Sequence, residues 1–86
     1  MTKRLYSVWN RNYKACLVVA DSPEEAVGLC LKSGHIRKAH LFRKFEDMTD
    51  RHTAEGSPGI DSLKALLEGS TSGIVLQNAE GLWALA

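Results

Sequence analysis

The chain has 86 residues, of which 44% are hydrophobic and 24% are charged, with only 2 Pro and a formal net charge of +1 at pH 7. This composition predicts a single folded domain over residues 1–86 and excludes collagen-like, mucin-like and wholly disordered classes. No apolar run approaches the roughly 18 residues that span a bilayer, and no export signal is visible, so we expect a cytoplasmic protein that does not enter the membrane.

The charge is distributed unevenly along the chain. Residues 1–45 carry nine Lys and Arg against three acids, a net charge of +6, whereas residues 46–86 carry two against seven, a net charge of −5. If the two halves lie on different sides of the fold, the protein has a basic face and an acidic face. Such a surface steers charged partners but does not determine the fold.

Two strands and a helix are predicted in the first third of the chain. Residues 4–9 alternate as a strand does, and the apolar run 15–20 returns as a buried second strand after a turn rich in Asn. A helix then begins with Ser22 as its cap, Pro23 in its first turn and Glu25 reaching back to the cap. Its apolar stripe faces the core, and residues 33–34 end it.

The middle of the chain is less regular. Residues 36–45 mix apolar and basic side chains and predict a third strand, in which Leu41 and Phe42 break the alternation and indicate a bulge or a helical stretch. Residues 46–59 are mostly polar and predict a long loop, which is a common place for function.

The last third predicts one more helix and a hairpin. Ile60 and Leu63 are the first residues with the apolar spacing of a helix. This pattern predicts a helix that starts near Pro58 or Asp61 and ends at Gly69. Residues 73–77 and 82–86 then flank a four-residue turn. We therefore predict an α+β fold with two helices on one face of a small antiparallel or mixed sheet, in the order ββαβ-loop-αββ.

A basic segment over residues 32–44 is the most distinctive chemical feature. Several cations within a short stretch suit a phosphate backbone, and Phe42 and Phe45 in the same stretch offer rings on which bases stack. The alternative is a solvated strand whose phenylalanines point into the core. The candidate binding residues in this segment are Arg37, Lys38, His40, Arg43 and Lys44.

Catalytic and metal-binding patterns are weak in this sequence. Asp50, His52 and Ser57 crowd the predicted loop, and a small enzyme or metal site there is one hypothesis, although no known ligand spacing is present. Cys16 and Cys30 lie in apolar segments and are expected to be buried free thiols. We assign no catalytic residue, no metal ligand and no cofactor from the sequence.

The sequence favours a non-catalytic protein-binding module, such as a small regulator, inhibitor or immunity-type protein. Segregated charge and an apolar last strand suit binding to another protein, with a second copy of this chain as one candidate in a homodimer through an edge strand. Trp83 is the aromatic candidate for such an interface, and burial in the core is its alternative. Nucleic-acid binding through residues 32–44 is the competing interpretation.

Overall fold

Five strands build one antiparallel sheet in the computed structural model, which describes residues 3–86. Their bounds are β1 Arg4–Asn10, β2 Ala15–Ala20, β3 Phe42–Asp47, β4 Gly73–Gln77 and β5 Trp83–Leu85. The strands lie in the order β3-β1-β2-β4-β5, and all four pairings are antiparallel. Strand β2 is therefore central, β1 lies between β2 and β3, and β3 and β5 are the two edges.

Three helices and one 3-10 turn complete the fold. Helix α1 is Pro23–Ser33, α2 is Thr49–His52 and α3 is Ile60–Glu68, and the 3-10 turn is Ala39–Leu41. The α+β fold predicted from the sequence is confirmed, with an antiparallel sheet. The observed order adds α2, a single turn that the sequence pattern did not predict.

The start of α1 follows the predicted local chemistry. The Ser22 hydroxyl accepts a hydrogen bond from the Glu25 amide at 3.1 Å, and Pro23 occupies the first turn. The Glu25 carboxylate accepts from the Asp21 amide at 2.9 Å, one residue before the cap, and also from the Ser72 hydroxyl at 2.6 Å. These bonds hold the pKa of Glu25 below its usual range and join the start of α1 to the segment before β4.

The two long helices lie on opposite faces of the sheet, so the prediction of both on one face is wrong. Tyr6 pairs with Val18 and both pack with α1, whereas their neighbours Leu5 and Val19 pair with each other and pack with α3. Successive strand residues point to opposite faces, so two separate cores result. The physical reason is that β1 and β2 are apolar on both faces, and one layer of helices covers only one face.

Two further segments differ from the sequence prediction. The predicted strand 36–45 begins only at Phe42, because Ile36 is buried in the core against α1 and the 3-10 turn follows it. The predicted loop 46–59 is shorter, since β3 continues to Asp47 and α2 follows. The Leu5 amide donates to Thr49 Oγ1 at 2.8 Å and the Met48 amide donates to the Leu5 carbonyl at 2.7 Å, which fixes α2 beside β1.

A close backbone approach fastens the segment before α3 to the turn before β5. Gly59 has φ 67°, and a Cβ atom there would overlap the carbonyl oxygen of Gly81. Ser62 holds the same junction together, because its hydroxyl donates to the Gly59 carbonyl at 2.7 Å and accepts from the Trp83 amide at 2.9 Å. The core beneath α3 therefore requires glycine at position 59.

We expect Gly59→Ala to destabilise the protein much more than Gly34→Ala. Gly34 also has a positive φ of 88°, but among residues 3–86 no atom beyond its chain neighbours lies within 4 Å of the position of its Cβ, so the variant there carries the backbone penalty of about 1–2 kcal/mol alone. The overlap at Gly59 adds a steric penalty and brings the loss to about 3 kcal/mol or more. Urea unfolding of both variants measures the difference, and equal losses would contradict the close approach.

Candidate functional site

Charge in the folded protein does not separate by the halves of the chain. Arg4 Nε lies 2.8 Å from Asp47 Oδ2, and its Nη2 lies 3.7 Å from Asp50 Oδ1, so a cation of the first half meets two anions of the second. Burial raises the pKa of Asp47, but the hydrogen bonds from Arg4 and Thr49 outweigh burial and hold it below its usual range. The expected separation of the two halves is therefore wrong near this end of β1.

At the opposite end of β1, the β1–β2 turn and the segment between α1 and β3 contain cations and no acids. Residues 10–20 and 26–45 contain no Asp or Glu, and they meet where Arg11 donates from its amide to the Leu41 carbonyl at 2.9 Å. We call this region the basic end. Its seven Lys and Arg residues are Arg11, Lys14, Lys32, Arg37, Lys38, Arg43 and Lys44.

Three of the predicted binding residues lie in the segment that connects α1 with β3. Arg37, Lys38 and His40 are all exposed, and Arg37 and Lys38 make no ion pair with any of residues 3–86. The His40 carbonyl accepts a hydrogen bond from Arg11 Nε at 2.9 Å, which holds this segment against the β1–β2 turn. The structure thus brings these three residues together at the basic end.

The other two basic candidates lie on β3 and contact aromatic rings. The Arg43 guanidinium lies over the Tyr13 ring, 4.0 Å from its centroid. Lys44 Nζ lies 5.4 Å from the centroid of the Trp9 ring and 2.8 Å from Glu46 Oε1, so its charge is partly neutralised within β3.

Tyr13 is a member of the basic end that the sequence analysis missed. It has φ 61°, an uncommon angle for a residue with a side chain, and its side chain is 67% exposed. The Asn10 side chain accepts from the amides of Asn12 and Lys14 at 2.9 and 3.1 Å, which closes the turn around Tyr13. In this turn, rich in Asn as the sequence predicts, Tyr13 takes the left-handed conformation and Asn10 stabilises the turn through its side chain.

Trp83, the aromatic interface candidate, lies in the core. Only 4% of the residue is exposed, and its ring stacks edge-to-face on His52 with centroids 5.2 Å apart. Of the two interpretations of Trp83, burial in the core is the one that the structure supports. Its indole is not presented to a partner in this structure, and Trp83 is therefore not part of the candidate site.

The edge strand β3 borders an apolar groove that sequence reasoning also missed. The groove has a volume of about 400 Å³ and lies between α1 and β3. Phe45 in its wall is 44% exposed and meets Tyr6 edge-to-face with centroids 6.2 Å apart. The lining residues are Pro23, Glu24, Val27, Gly28, Leu31, Phe42 and Phe45.

Backbone groups of β3 point away from the sheet beside this groove. In an antiparallel ladder, alternate residues exchange hydrogen bonds with the neighbouring strand. The Met48 amide bonds to the Leu5 carbonyl, so the backbone of Met48 faces β1. Counting back by two, the backbone groups of Glu46 and Lys44 also face β1. The backbone groups of the intervening residues, Phe45 and Asp47, therefore face outward. Within residues 3–86, no strand pairs with this outer side.

The polar segment after β3 does not assemble a metal site. Across residues 3–86, no group of three or more His, Cys, Asp or Glu side chains is placed to hold a metal ion. His52 contacts Trp83, and Asp50 is directed toward Arg4. A metal site at residues 46–59 therefore has no geometric support in the described part of the chain.

The two thiols meet in the core beneath α1. Cys30 is buried, Cys16 is partly buried, and neither forms a disulfide. The hydrogen bond that Cys30 donates to Cys16 lowers the pKa of Cys16 and raises that of Cys30, which burial raises further.

Among residues 3–86, no helix is both long enough and apolar enough to cross a membrane.

We expect Gly28→Ala to stabilise the protein. Gly28 lies inside α1 and lines the groove, and apart from its chain neighbours and the backbone of α1, no atom of the described chain lies within 4 Å of the position of its Cβ. Since Gly in a helix is less favourable than Ala by about 1 kcal/mol, the free energy of unfolding should rise by about 0.5–1 kcal/mol. Urea unfolding measures this change, and a loss of stability would show that glycine is needed for internal packing.

Comparison with known proteins gives no information on this site. No protein family matches the sequence, and no match is found among curated proteins or solved structures. The function is therefore inferred from the geometry of the β3 edge and of the basic end.

Proposed function

We propose that this protein is a non-catalytic protein-binding module that pairs through the edge of β3, and that it binds a second copy of itself. The observation that carries the proposal is the order of charges along this edge. Residues 43–47 read Arg-Lys-Phe-Glu-Asp, with two cations and two anions placed symmetrically about Phe45. An antiparallel copy of this strand is complementary to it.

The register of this pairing follows from the symmetry. With a two-fold axis at Phe45, the Phe45 residues of the two copies face each other, Lys44 faces Glu46 of the other copy, and Arg43 faces Asp47. The outward backbone groups of Phe45 match this register, because residues that face each other across a two-fold axis then exchange both hydrogen bonds. Opposite charges directly across a ladder are favourable, and like charges are unfavourable.

Charges on an edge strand usually prevent pairing with other chains. They do so through repulsion or through the burial of charges that lack partners. Neither effect applies to β3 paired with its own copy, because every charged residue meets one of opposite sign. The other edge strand, β5, has only three residues and no charged side chain. It therefore has no ion pairs that would determine the register of pairing with another strand.

The groove beside β3 supplies apolar contacts for the same pairing. Phe45 shares the face of Val8, its partner on β1, and this is the face that α1 covers. A second Phe45 directly opposite lies on the same face, where the groove leaves room for its ring. Burial of an aromatic ring adds stabilisation that the exposed ion pairs alone do not supply.

Charge exchange at positions 44 and 46 tests the proposal. In Lys44→Glu, residue 44 faces Glu46 of the other copy, and in Glu46→Lys two lysines face each other, so each variant alone should be monomeric. An equimolar mixture of the two variants restores both opposite-charge pairs and should give a one-to-one heterodimer. Analytical ultracentrifugation over a concentration series measures all three samples and the wild type.

The double variant Lys44→Glu/Glu46→Lys controls for loss of the ion pair within β3. It should associate as the wild type does, because exchange on both copies preserves every pair. Circular dichroism checks that each single variant remains folded. Wild-type protein that is monomeric at all concentrations, or association that survives both single changes, would overturn the proposal, and the second result would place the interface elsewhere.

Nucleic-acid binding at the basic end is a second candidate function. It is favoured by the absence of acids from residues 10–20 and 26–45 and by the exposed Tyr13 ring, on which a base can stack. This function uses Arg37, Lys38 and Arg43 and does not require the pairing of β3.

Matched charge reversals test the second candidate. Arg37→Glu/Lys38→Glu should weaken binding of a labelled single-stranded oligonucleotide by about tenfold or more. In a plot of the logarithm of the binding constant against the logarithm of the salt concentration, the slope should become shallower by about one unit for each phosphate contact that is lost. Arg51→Glu/Lys64→Glu changes the net charge equally at exposed positions outside the basic end. Fluorescence anisotropy compares the two, and equal losses would show that only net charge matters.

A further inference from the structure

A small pocket lies within the basic end, between the β1–β2 turn and the segment that follows α1. Its volume is about 100 Å³, which holds a few water molecules or a tetrahedral oxyanion but is too small for a base with its sugar. The lining residues are Asn10, Arg11, Asn12, His35, Ile36, Arg37 and Leu41. None of them lines the groove beside β3.

One of the lining residues, His35, has a polar atom without a partner. His35 Nε2 is shielded from solvent and makes no hydrogen bond with any of residues 3–86. Buried polar atoms are nearly always hydrogen-bonded, and an orphaned one is expensive. The amide of His35 bonds to the Ser33 hydroxyl at 3.4 Å, so the residue is held in the loop while its Nε2 lacks a partner.

The two charged residues that line this pocket are both positive. Arg11 and Arg37 line the pocket, and no Asp or Glu belongs to either segment that forms it. Arg11 uses its Nε to bind the His40 carbonyl, which positions its guanidinium and leaves the terminal nitrogens without a hydrogen bond to the described chain. Arginine presents a planar set of donors that matches phosphate oxygens.

We infer that this pocket binds a tetrahedral oxyanion, inorganic phosphate or a phosphate group of a larger molecule, held by Arg11 and Arg37 with His35 Nε2 as a third donor. The anion supplies the acceptor that His35 lacks and neutralises two arginines that have no acidic partner. The inference does not rest on the pairing of β3, because the pocket and that edge share no residue.

A titration with inorganic phosphate at constant ionic strength tests the inference. In ¹H–¹⁵N NMR spectra, phosphate should shift the amides of residues 10–12 and 35–37, whereas the same ionic strength of chloride should not. Arg37→Ala should weaken phosphate binding about tenfold or more, since it removes charge-assisted hydrogen bonds. Arg37→Lys keeps the charge without the planar donors and should give an intermediate loss.

Lys38→Ala is the matched control, because Lys38 is an adjacent exposed cation that does not line the pocket. It should change the affinity for phosphate less than about twofold, as expected for a solvent-screened charge that does not contact the anion. Equal losses in Arg37→Ala and Lys38→Ala, or equal shifts with phosphate and chloride, would overturn the inference. His35→Leu supplies a second variant, and an unchanged affinity there would remove His35 from the site.

Oligonucleotides distinguish the source of the phosphate. A short single strand with a 5′-phosphate that displaces inorganic phosphate better than its 5′-hydroxyl form indicates a terminal phosphate group. Equal displacement by both forms indicates the nucleic-acid backbone, and displacement by neither indicates a free anion. Each of these outcomes keeps the oxyanion site, and the charge-exchange variants on β3 should bind phosphate as the wild type does.

Discussion

Strands β1 and β2 bury side chains on both faces: Tyr6 and Val18 beneath α1, Leu5 and Val19 beneath α3. This double burial is the constraint from which the remaining architecture follows. Residues 3–86 form two helices long enough to cover a sheet, and the constraint places one on each face. Within these residues no long helix remains to cover an edge. The open groove and the outward backbone groups of β3 are therefore consequences of how the interior is built.

The antiparallel course of the strands also determines where the charges lie. Because β3 runs opposite to β1, its last residue Asp47 lies beside Arg4, and its first residues lie beside the β1–β2 turn. Acids of the second half thus neutralise Arg4 at one end, while the cations of residues 32–44 join Arg11 at the other. The basic end therefore arises from the order and direction of the strands. The charge of each half of the chain predicts it only in part.

Local chemistry was predictable from the sequence, and long-range geometry was not. The Ser22 cap, the bounds of β2 and the turn before β5 depend on neighbouring residues, and the pattern identified them. The faces occupied by the helices depend on which side of each strand is apolar. The continuous run 15–20 carried that signal, since strands buried on both faces do not alternate. Tyr13 escaped prediction because its backbone angle is imposed by the bonds that Asn10 makes around it. The symmetric charges of β3 are visible in the sequence, but their meaning depends on its place at an edge.

The uneven placement of charge gives each copy an electric dipole directed along the strands, positive at the β1–β2 turn. Two copies joined antiparallel through β3 would orient these dipoles in opposite directions, and the assembly would lose the net dipole of its parts. Its field would instead have two positive poles at opposite extremes of one continuous ten-stranded sheet. Such an object could bridge two separate anionic surfaces, which a single copy with one positive pole cannot do.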